Sequence, residues 1–256
     1  AHGLAVQALR AAGVSGPVGI VLNPGSFLPA SADPADVEAA RRIDLGNKLF
    51  LDPLYKAAYD EEVLAEITRV NDGSHIRPGD CAIIATPTDY LGINYYGPER
   101  VTPDPSTAAS ASWPGRAGVG HIAADVERTV MGWEVEPQGL VDVINRIRGE
   151  YGADITFYIT ENGAAYDDEV AADGGVHDPQ RTSYLRRHLL AVRRMIADGV
   201  DIRGYFVWSL LDNFEWSFGY SRRFGIVWTD YDTFERIPKD SARFYAEAAR
   251  TGVVPR

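Results

Sequence analysis

The sequence is poor in cysteine and has no long hydrophobic run, and each absence excludes a class of protein. A single cysteine, Cys81, in 256 residues excludes an internal disulfide framework and a cysteine-rich zinc site. We expect it to be a small buried residue, and the low cysteine content favours a cytoplasmic location. No apolar run reaches the ~18 residues that a membrane-spanning helix requires, and we expect no signal peptide.

Positive charge is also scarce, because 25 Lys and Arg residues face 36 Asp and Glu residues and give a formal net charge of −11. Such a surface repels phosphate backbones and anionic membranes, so neither nucleic acid nor a membrane is an expected partner. The five histidines show no ligand spacing, and we therefore expect no metal and no cofactor. A hydrophobic content of 45% is enough for one α/β domain over residues 1–256.

Glycine-rich phosphate motifs are missing as well. The strand-like "VGIVLN" continues into "PGSFLPASADP", which has neither the G-x-G-x-x-G spacing of a doubly wound dinucleotide fold nor a Walker motif. What is present is an alternation of continuous apolar runs and helical patterns, typical of a parallel α/β fold. The strand-like runs are 18–23, 89–96, 155–163 and 204–212, and helical patterns begin at Asp33, Gly139 and Asp178. Four such units are half of a (β/α)8 barrel.

One segment, 97–120, is rich in Pro, Ser, Ala and Gly, and we expect it to lack regular structure. In a barrel it would be a long loop that connects a strand to the following helix at the catalytic face. An insertion without a role is the alternative reading of the same composition.

The predicted strand ends concentrate carboxylates, amides and aromatic rings. Glu161 ends the run "ITFYITE" just before the turn dipeptide Asn162-Gly163, and "WSLLDNFEW" follows the last strand. Aromatic faces next to carboxylates suit a sugar, which stacks its C–H faces on rings and donates hydroxyl hydrogen bonds to charged groups. Glycoside hydrolysis requires one carboxylate as nucleophile or base and a second as proton donor. The alternative for Glu161 is a cap on the following turn or an ion pair with an arginine.

The motifs "YITENG", "GINYY" and "WSLLDNFEWSFGYSRRFG" resemble those of the family 1 glycoside hydrolases, the β-glucosidase group of retaining (β/α)8 barrels. The resemblance extends over nearly the whole chain, through "FLDPLYK", "MGWEVEPQGL" and "RIPKDSARFYAE". It implies the C-terminal half of a TIM barrel, strands five to eight. It also implies a hydrolase of carbohydrate metabolism with a retaining glycosidase mechanism.

The resemblance assigns roles to individual residues. It implies that Glu161 is the nucleophile and that Tyr96 orients it through a hydrogen bond. The implied substrate-binding residues, on the glycone and aglycone sides of the pocket, are Asn94, Trp133, Trp208, Glu215, Trp216 and Phe224. For two of these aromatics, Trp133 and Phe224, the alternative is a plain core residue. For Glu215 it is a surface ion pair with Arg222 or Arg223.

The chain departs from the family pattern in one respect, because the "NEP" stretch that carries the general acid/base is missing. We therefore expect the acid/base to lie on an N-terminal half-barrel. Either a second polypeptide supplies that half, or this sequence is one product of a cut chain, or a second copy of this chain takes the place of the missing half. The implied substrate is a β-glycoside or oligosaccharide, and Glu215 favours an unphosphorylated sugar, since relatives specific for 6-phosphoglycosides generally lack this glutamate. The alternatives are a half-barrel that binds carbohydrate without cleaving it and an interaction subunit.

Overall fold

The computed structural model describes residues 1–255. The helices are α1 (His2–Ala11), α2 (Pro34–Ile43), α3 (Leu45–Tyr55), α4 (Glu61–Thr68), α5 (Asp80–Ile84), α6 (Pro137–Tyr151), α7 (Pro179–Ala197) and α8 (Asp240–Thr251). The strands are β1 (Gly19–Leu22), β2 (Phe27–Pro29), β3 (Tyr90–Asn94), β4 (Glu99–Pro103), β5 (Val119–Ile122), β6 (Phe157–Asn162), β7 (Ile202–Val207), β8 (Val227–Thr229) and β9 (Arg236–Pro238). Within 1–255, no helix combines the length and the apolar character needed to cross a membrane.

The chain divides into two compact units, where the sequence predicted a single domain. The first unit comprises Ala1–Gly92, Pro98–Asp125 and Asp142–Thr156. The second comprises Ile93–Gly97, Val126–Val141 and the described residues from Phe157 onward. Each unit has its own clusters of buried hydrophobic side chains, which is why each is compact.

The first unit contains a sheet that composition alone did not reveal. Strand β4 pairs with β2 in parallel and with β5 antiparallel, and Val101 and Val119 bury their side chains against Ile43 of α2. The prediction of an irregular segment over 97–120 is therefore wrong for β4 and for the start of β5. A five-residue strand with one buried valine is too short to alter the composition of a 24-residue segment.

Two further predictions in the first unit need correction. The helical pattern predicted to begin at Asp33 is not one continuous helix but divides into α2 and α3 at Asp44. The Asp44 carboxylate accepts hydrogen bonds from Asn47 and Arg146, both at 2.7 Å. The predicted start is confirmed, since the Asp33 carboxylate accepts the Ala35 amide at 2.8 Å. Cys81 is only half-buried, because α5 is a short, partly exposed helix.

The second unit contains the parallel strands that carry the site. The end of β3, then β6 and β7, lie side by side in that order, and β6 and β7 are parallel. Helix α7 and the residues of α8 cover this layer, with Leu185 and Tyr184 in the same core cluster as Phe244. The C-terminal ends of β3, β6 and β7 therefore meet at one edge of the layer, where α/β folds place functional groups.

All four strand-like runs predicted from the sequence contain strands, and the largest displacement of a boundary is at the end of β7. The run predicted over 204–212 is β7, which ends at Val207, five residues before the expected end. The residues beyond it begin with a cis peptide bond between Trp208 and Ser209. Trp208 and Asp212 therefore belong to the connection that follows β7.

Helix α7 allows a matched test of the core. Leu185 is 0% exposed and packs in the core cluster, whereas Leu190 on the same helix is 42% exposed. Leu185→Ala should lower the free energy of unfolding by about 2 to 5 kcal/mol, through lost burial and the remaining cavity. Leu190→Ala should change it by less than about 1 kcal/mol. Urea unfolding of both variants measures the difference, and equal losses would contradict this packing of α7.

Candidate functional site

Two strand ends bring Glu161 and Tyr96 together. Glu161 is the fifth residue of β6, and Tyr96 lies two residues beyond the end of β3. The Tyr95 amide donates to the Glu161 carbonyl at 2.9 Å, and the Tyr96 hydroxyl donates to the Glu161 carboxylate at 2.5 Å. Among residues 1–255, Glu161 forms no ion pair, so the alternative of an arginine partner is not met.

Tyr96 is a permanent donor to this carboxylate. Burial raises the pKa of the Tyr96 phenol well above its ordinary value, and the hydrogen bond to Glu161 and the charges of Glu161 and Glu215 raise it further. The phenol is therefore neutral throughout the physiological range. It can stabilise negative charge on Glu161 without cancelling it.

The position of Tyr96 is fixed by a buried network that sequence reasoning missed. The Asn162 side-chain amide donates to the Tyr95 carbonyl at 2.7 Å and to the Tyr184 hydroxyl at 3.0 Å. Tyr184 donates in turn to the Tyr96 carbonyl at 2.8 Å, and Tyr205 donates to the Asn162 side-chain oxygen at 2.5 Å. Only the position of Asn162, directly after Glu161, could have indicated this role.

An aromatic cluster stands beside the Tyr96–Glu161 pair. The ring centroid of Tyr96 lies 5.2 Å from that of Trp133 and 5.9 Å from that of Phe224, and the Trp133 and Phe224 rings are 6.0 Å apart. Phe224 is 2% exposed and Trp133 is 36% exposed. The reading of Phe224 as a core residue is thus compatible with its burial, whereas the exposed part of Trp133 is available to a ligand.

Glu215 is the second carboxylate of the site, and the Trp208 side chain is its hydrogen-bond partner. Burial raises the pKa of the Glu215 carboxyl and the charge of Glu161 adds to this rise, while a hydrogen bond with the Trp208 side chain lowers it. The influence of Glu161 places two carboxylates in one electrostatic environment. The expected alternative, an ion pair with Arg222 or Arg223, is absent: Arg222 lies 5.3 Å from the Phe218 ring and Arg223 binds Asp212 at 2.7 Å.

Two predicted substrate-binding residues have a looser connection to the site. The Asn94 side-chain oxygen accepts a hydrogen bond from the Thr160 hydroxyl at 2.7 Å, which fixes its amide next to β6. Trp216 is 78% exposed and begins the short 3-10 helix Trp216–Phe218. The structure therefore brings Asn94 into the strand layer and leaves the Trp216 ring in solvent.

The glycine after Asn162 is required by the site. A Cβ atom on Gly163 would lie 1.8 Å from the Trp208 carbonyl oxygen, so any side chain would displace Trp208 or β6. In the described part of the chain, no group of three or more His, Cys, Asp or Glu side chains could hold a metal ion.

Comparison with known proteins identifies the family to which this chain belongs. Residues 1–253 match the family model described as glycosyl hydrolase family 1, and the chain belongs to this family. It is 42% identical over 252 residues to beta-glucosidase A of Thermotoga maritima, covering 98% of this chain and 54% of that protein. It is 38% identical to a 6-phospho-beta-galactosidase of Staphylococcus aureus, covering 98% of this chain and 58% of that protein.

A solved structure agrees with this assignment. The family 1 β-glucosidase from Thermotoga maritima superimposes with a TM-score of 0.91 at 40% identity, over 100% of this chain and 55% of that one. The chain therefore spans about half the length of the relatives it matches. Its architecture is that of an α/β protein with a parallel sheet, equivalent to roughly half of a family 1 barrel.

The His188 ring packs against the Tyr184 ring, and its imidazole is neutral. Its ring stacks on Tyr184 with centroids 4.0 Å apart, and its Nδ1 hydrogen-bonds the Tyr184 carbonyl at 2.8 Å. Burial lowers the pKa of His188 from its ordinary 6.5 to about 3.

This buried histidine predicts a pH dependence of stability. The pKa of His188 is 6.5 in the unfolded state and about 3 in the folded state. Between these two pH values, His188 binds a proton only when the chain is unfolded. The free energy of unfolding should therefore fall by up to about 1.4 kcal/mol per pH unit in this window, with no contribution above it. Urea unfolding near pH 7.5 and pH 5 should show a loss in the wild type about 2 kcal/mol larger than in His188→Gln. An equal loss in both proteins would contradict a neutral buried His188.

Proposed function

We propose that this chain forms the nucleophile-bearing half of a retaining β-glycosidase that removes terminal β-linked glucose or a related unphosphorylated sugar. The observation that carries the proposal is the Glu161 carboxylate, which lies next to the last residue of a parallel strand, forms no ion pair within 1–255 and accepts the Tyr96 hydroxyl at 2.5 Å. Family membership and the names of the relatives support this activity.

Glu161 acts as the nucleophile in two displacements. In the first, a carboxylate oxygen attacks the anomeric carbon, the glycosidic bond breaks, and the leaving oxygen takes a proton from the acid/base. In the second, the same acid/base removes a proton from water, which attacks the anomeric carbon and releases Glu161. Tyr96 holds the carboxylate in line for both steps and keeps its second oxygen hydrogen-bonded.

The acid/base residue belongs to a part of the enzyme outside these 256 residues. We infer that the chain supplies strands five to eight, and that the first four strands supply the proton donor and close the barrel. The coverage of the relatives, 54% for the Thermotoga maritima protein, supports this division. The N-terminal half is either joined to this chain or provided by a second polypeptide.

The remaining side chains form the sugar pocket in this proposal. Trp208 lies beneath the glycone ring, Glu215 and Trp216 hold its hydroxyls, and Asn94 is a polar neighbour of the glycone. Trp133 and Phe224 form an aromatic wall on the aglycone side. Glu215 also selects against a phosphorylated glycone, because two negative charges in a half-buried pocket repel each other.

The nucleophile is tested in the complete enzyme with an aryl β-glucoside. Glu161→Gln should abolish turnover, because the neutral amide cannot form the glycosyl ester. Glu161→Ala with an activated dinitrophenyl glucoside should regain turnover in sodium azide and yield the α-glucosyl azide, since azide enters from the vacated side. Glu169→Gln, on an exposed carboxylate, should leave the rate unchanged.

Retained turnover in Glu161→Gln would contradict the assignment, as would a β-configured azide product. An activated leaving group is used because it departs without protonation. The azide result therefore reports on Glu161 alone.

The choice of sugar is tested through Glu215. The wild type should prefer an aryl β-glucoside over its 6-phosphate by a large factor in kcat/KM. Glu215→Gln should lower kcat/KM for the neutral substrate by about tenfold, because a charge-assisted hydrogen bond is lost. It should therefore also reduce the ratio of kcat/KM between the neutral substrate and its 6-phosphate. A wild type that prefers the 6-phosphate would overturn this part of the proposal.

A further inference from the structure

The second unit contains six buried or nearly buried charges that the proposed mechanism does not use. They come from the connection after β6, the N-terminal end of α7, the connection between β7 and β8, and the N-terminal end of α8. These residues are Asp168, Asp178, Arg181, Asp212, Arg223 and Lys239, and we call them the buried charge network. Three positive and three negative groups make its formal charge zero.

Lys239 joins two of the connections. Its ammonium group lies 2.6 Å from Asp168 Oδ2 and 2.9 Å from Asp212 Oδ1, and its side chain is fully buried. Asp168 in turn accepts two hydrogen bonds from Arg181 at 3.0 and 2.6 Å. Removing any one partner would leave an uncompensated buried charge, so these connections are held in one arrangement.

Asp212 links this network to the aromatic wall. Its carboxylate accepts hydrogen bonds from the Arg223 guanidinium at 2.7 Å and from the Gly225 amide at 2.9 Å. Phe224 lies between these two residues, so Asp212 binds the side chain of the preceding residue and the backbone amide of the following one. A Cβ atom on Gly225 would lie 2.1 Å from the Asp212 amide nitrogen, so this close approach requires glycine.

Asp212 is also the fixed point from which the chain turns to Glu215. The Asp212 amide donates to the Val227 carbonyl at 3.0 Å, and the Glu215 amide, three residues later, donates to the Gly219 carbonyl at 2.7 Å. The Asp212 carboxylate therefore anchors the backbone next to Phe224, and by fixing Asp212 itself it anchors the start of the segment that leads to Glu215.

We propose that Asp212, held by Lys239 and Arg223, is a positioning residue for Glu215 and Phe224 and thereby determines the affinity of the pocket for sugar. This inference rests on the proposed function. Asp212 does not touch the sugar. It acts by fixing Glu215, which holds the sugar in the proposed function, and Phe224, which packs against Tyr96 and Trp133. A purely stabilising role would lower stability without coupling to Glu215.

The test is a double-mutant cycle in the complete enzyme, with the sugar mimic deoxynojirimycin and titration calorimetry. Asp212→Asn and Glu215→Gln should each weaken binding, on the order of tenfold. Because Asp212 acts partly through Glu215, the double variant should bind more tightly than the product of the two single losses predicts. Losses that multiply in the double variant would overturn the proposal.

Asp178→Asn is the matched control, since this carboxylate is equally buried and binds Arg181 and Ser241 instead of the backbone near Phe224. It should lower thermal stability to a similar extent, and any change in affinity should multiply with that of Glu215→Gln. If Asp178→Asn coupled to Glu215 as strongly as Asp212→Asn, the specific role of Asp212 would be wrong.

A second pair of variants covers misfolding of Asp212→Asn. The Arg223 side chain is partly exposed, so its replacement is tolerated more easily. Arg223→Met should weaken deoxynojirimycin binding by about tenfold, and Arg223→Lys, which keeps a cation beside Asp212, should recover it to within about threefold. Equal affinity in both Arg223 variants would overturn the proposal. A wild type that neither binds the mimic nor cleaves a β-glucoside would instead overturn the proposed function.

Discussion

The hydrogen bond from Tyr96 to Glu161 is the interaction on which the rest of the site depends. It joins side chains from two adjacent strand ends, and it is made possible by the backbone hydrogen bond between Tyr95 and Glu161. The Asn162 side chain, on the opposite side of β6, adds a hydrogen bond to the Tyr95 carbonyl. The register of β3 against β6 is therefore a requirement of the chemistry, because a shift by one residue would turn these side chains to the other face.

The distribution of charge follows from this arrangement. Glu161 and Glu215 share one environment, and the nearby donor to Glu161 is a neutral phenol whose pKa is raised by burial. The buried cations of the same unit are bound elsewhere: Arg181 and Lys239 are satisfied by aspartates. The network thus supplies rigidity while keeping positive charge away from Glu161.

The sequence predicted the parts of this structure that depend on continuous patterns. The apolar runs located β1, β3, β6 and β7, and the run "ITFYITE" correctly placed Glu161 near the end of β6. Features that leave only a short signal in the sequence could not be predicted in this way. Strand β4 was hidden in a Pro- and Ser-rich segment, and the helix break at Asp44 depends on contacts with Arg146, a residue distant in sequence.

The supporting residues of the site were hidden for a related reason. Tyr184 and Tyr205 are indistinguishable in sequence from ordinary core aromatics, because their hydroxyl partners come from other elements. Lys239 precedes a helix, where a solvated lysine is the common case, and only its two aspartate partners explain its burial. Burial of polar groups is a property of the assembled fold and cannot be read from local pattern.

The measurement that tests this account most directly is peptide mass mapping of the complete enzyme after reaction with an activated 2-deoxy-2-fluoro-β-glucoside. The fluorine slows the second displacement, so the glycosyl-enzyme accumulates. We predict one added fluoroglucosyl group, on the peptide containing Glu161. A group attached to a different residue, or an active enzyme that remains unmodified, would contradict the assignment of Glu161 as the nucleophile.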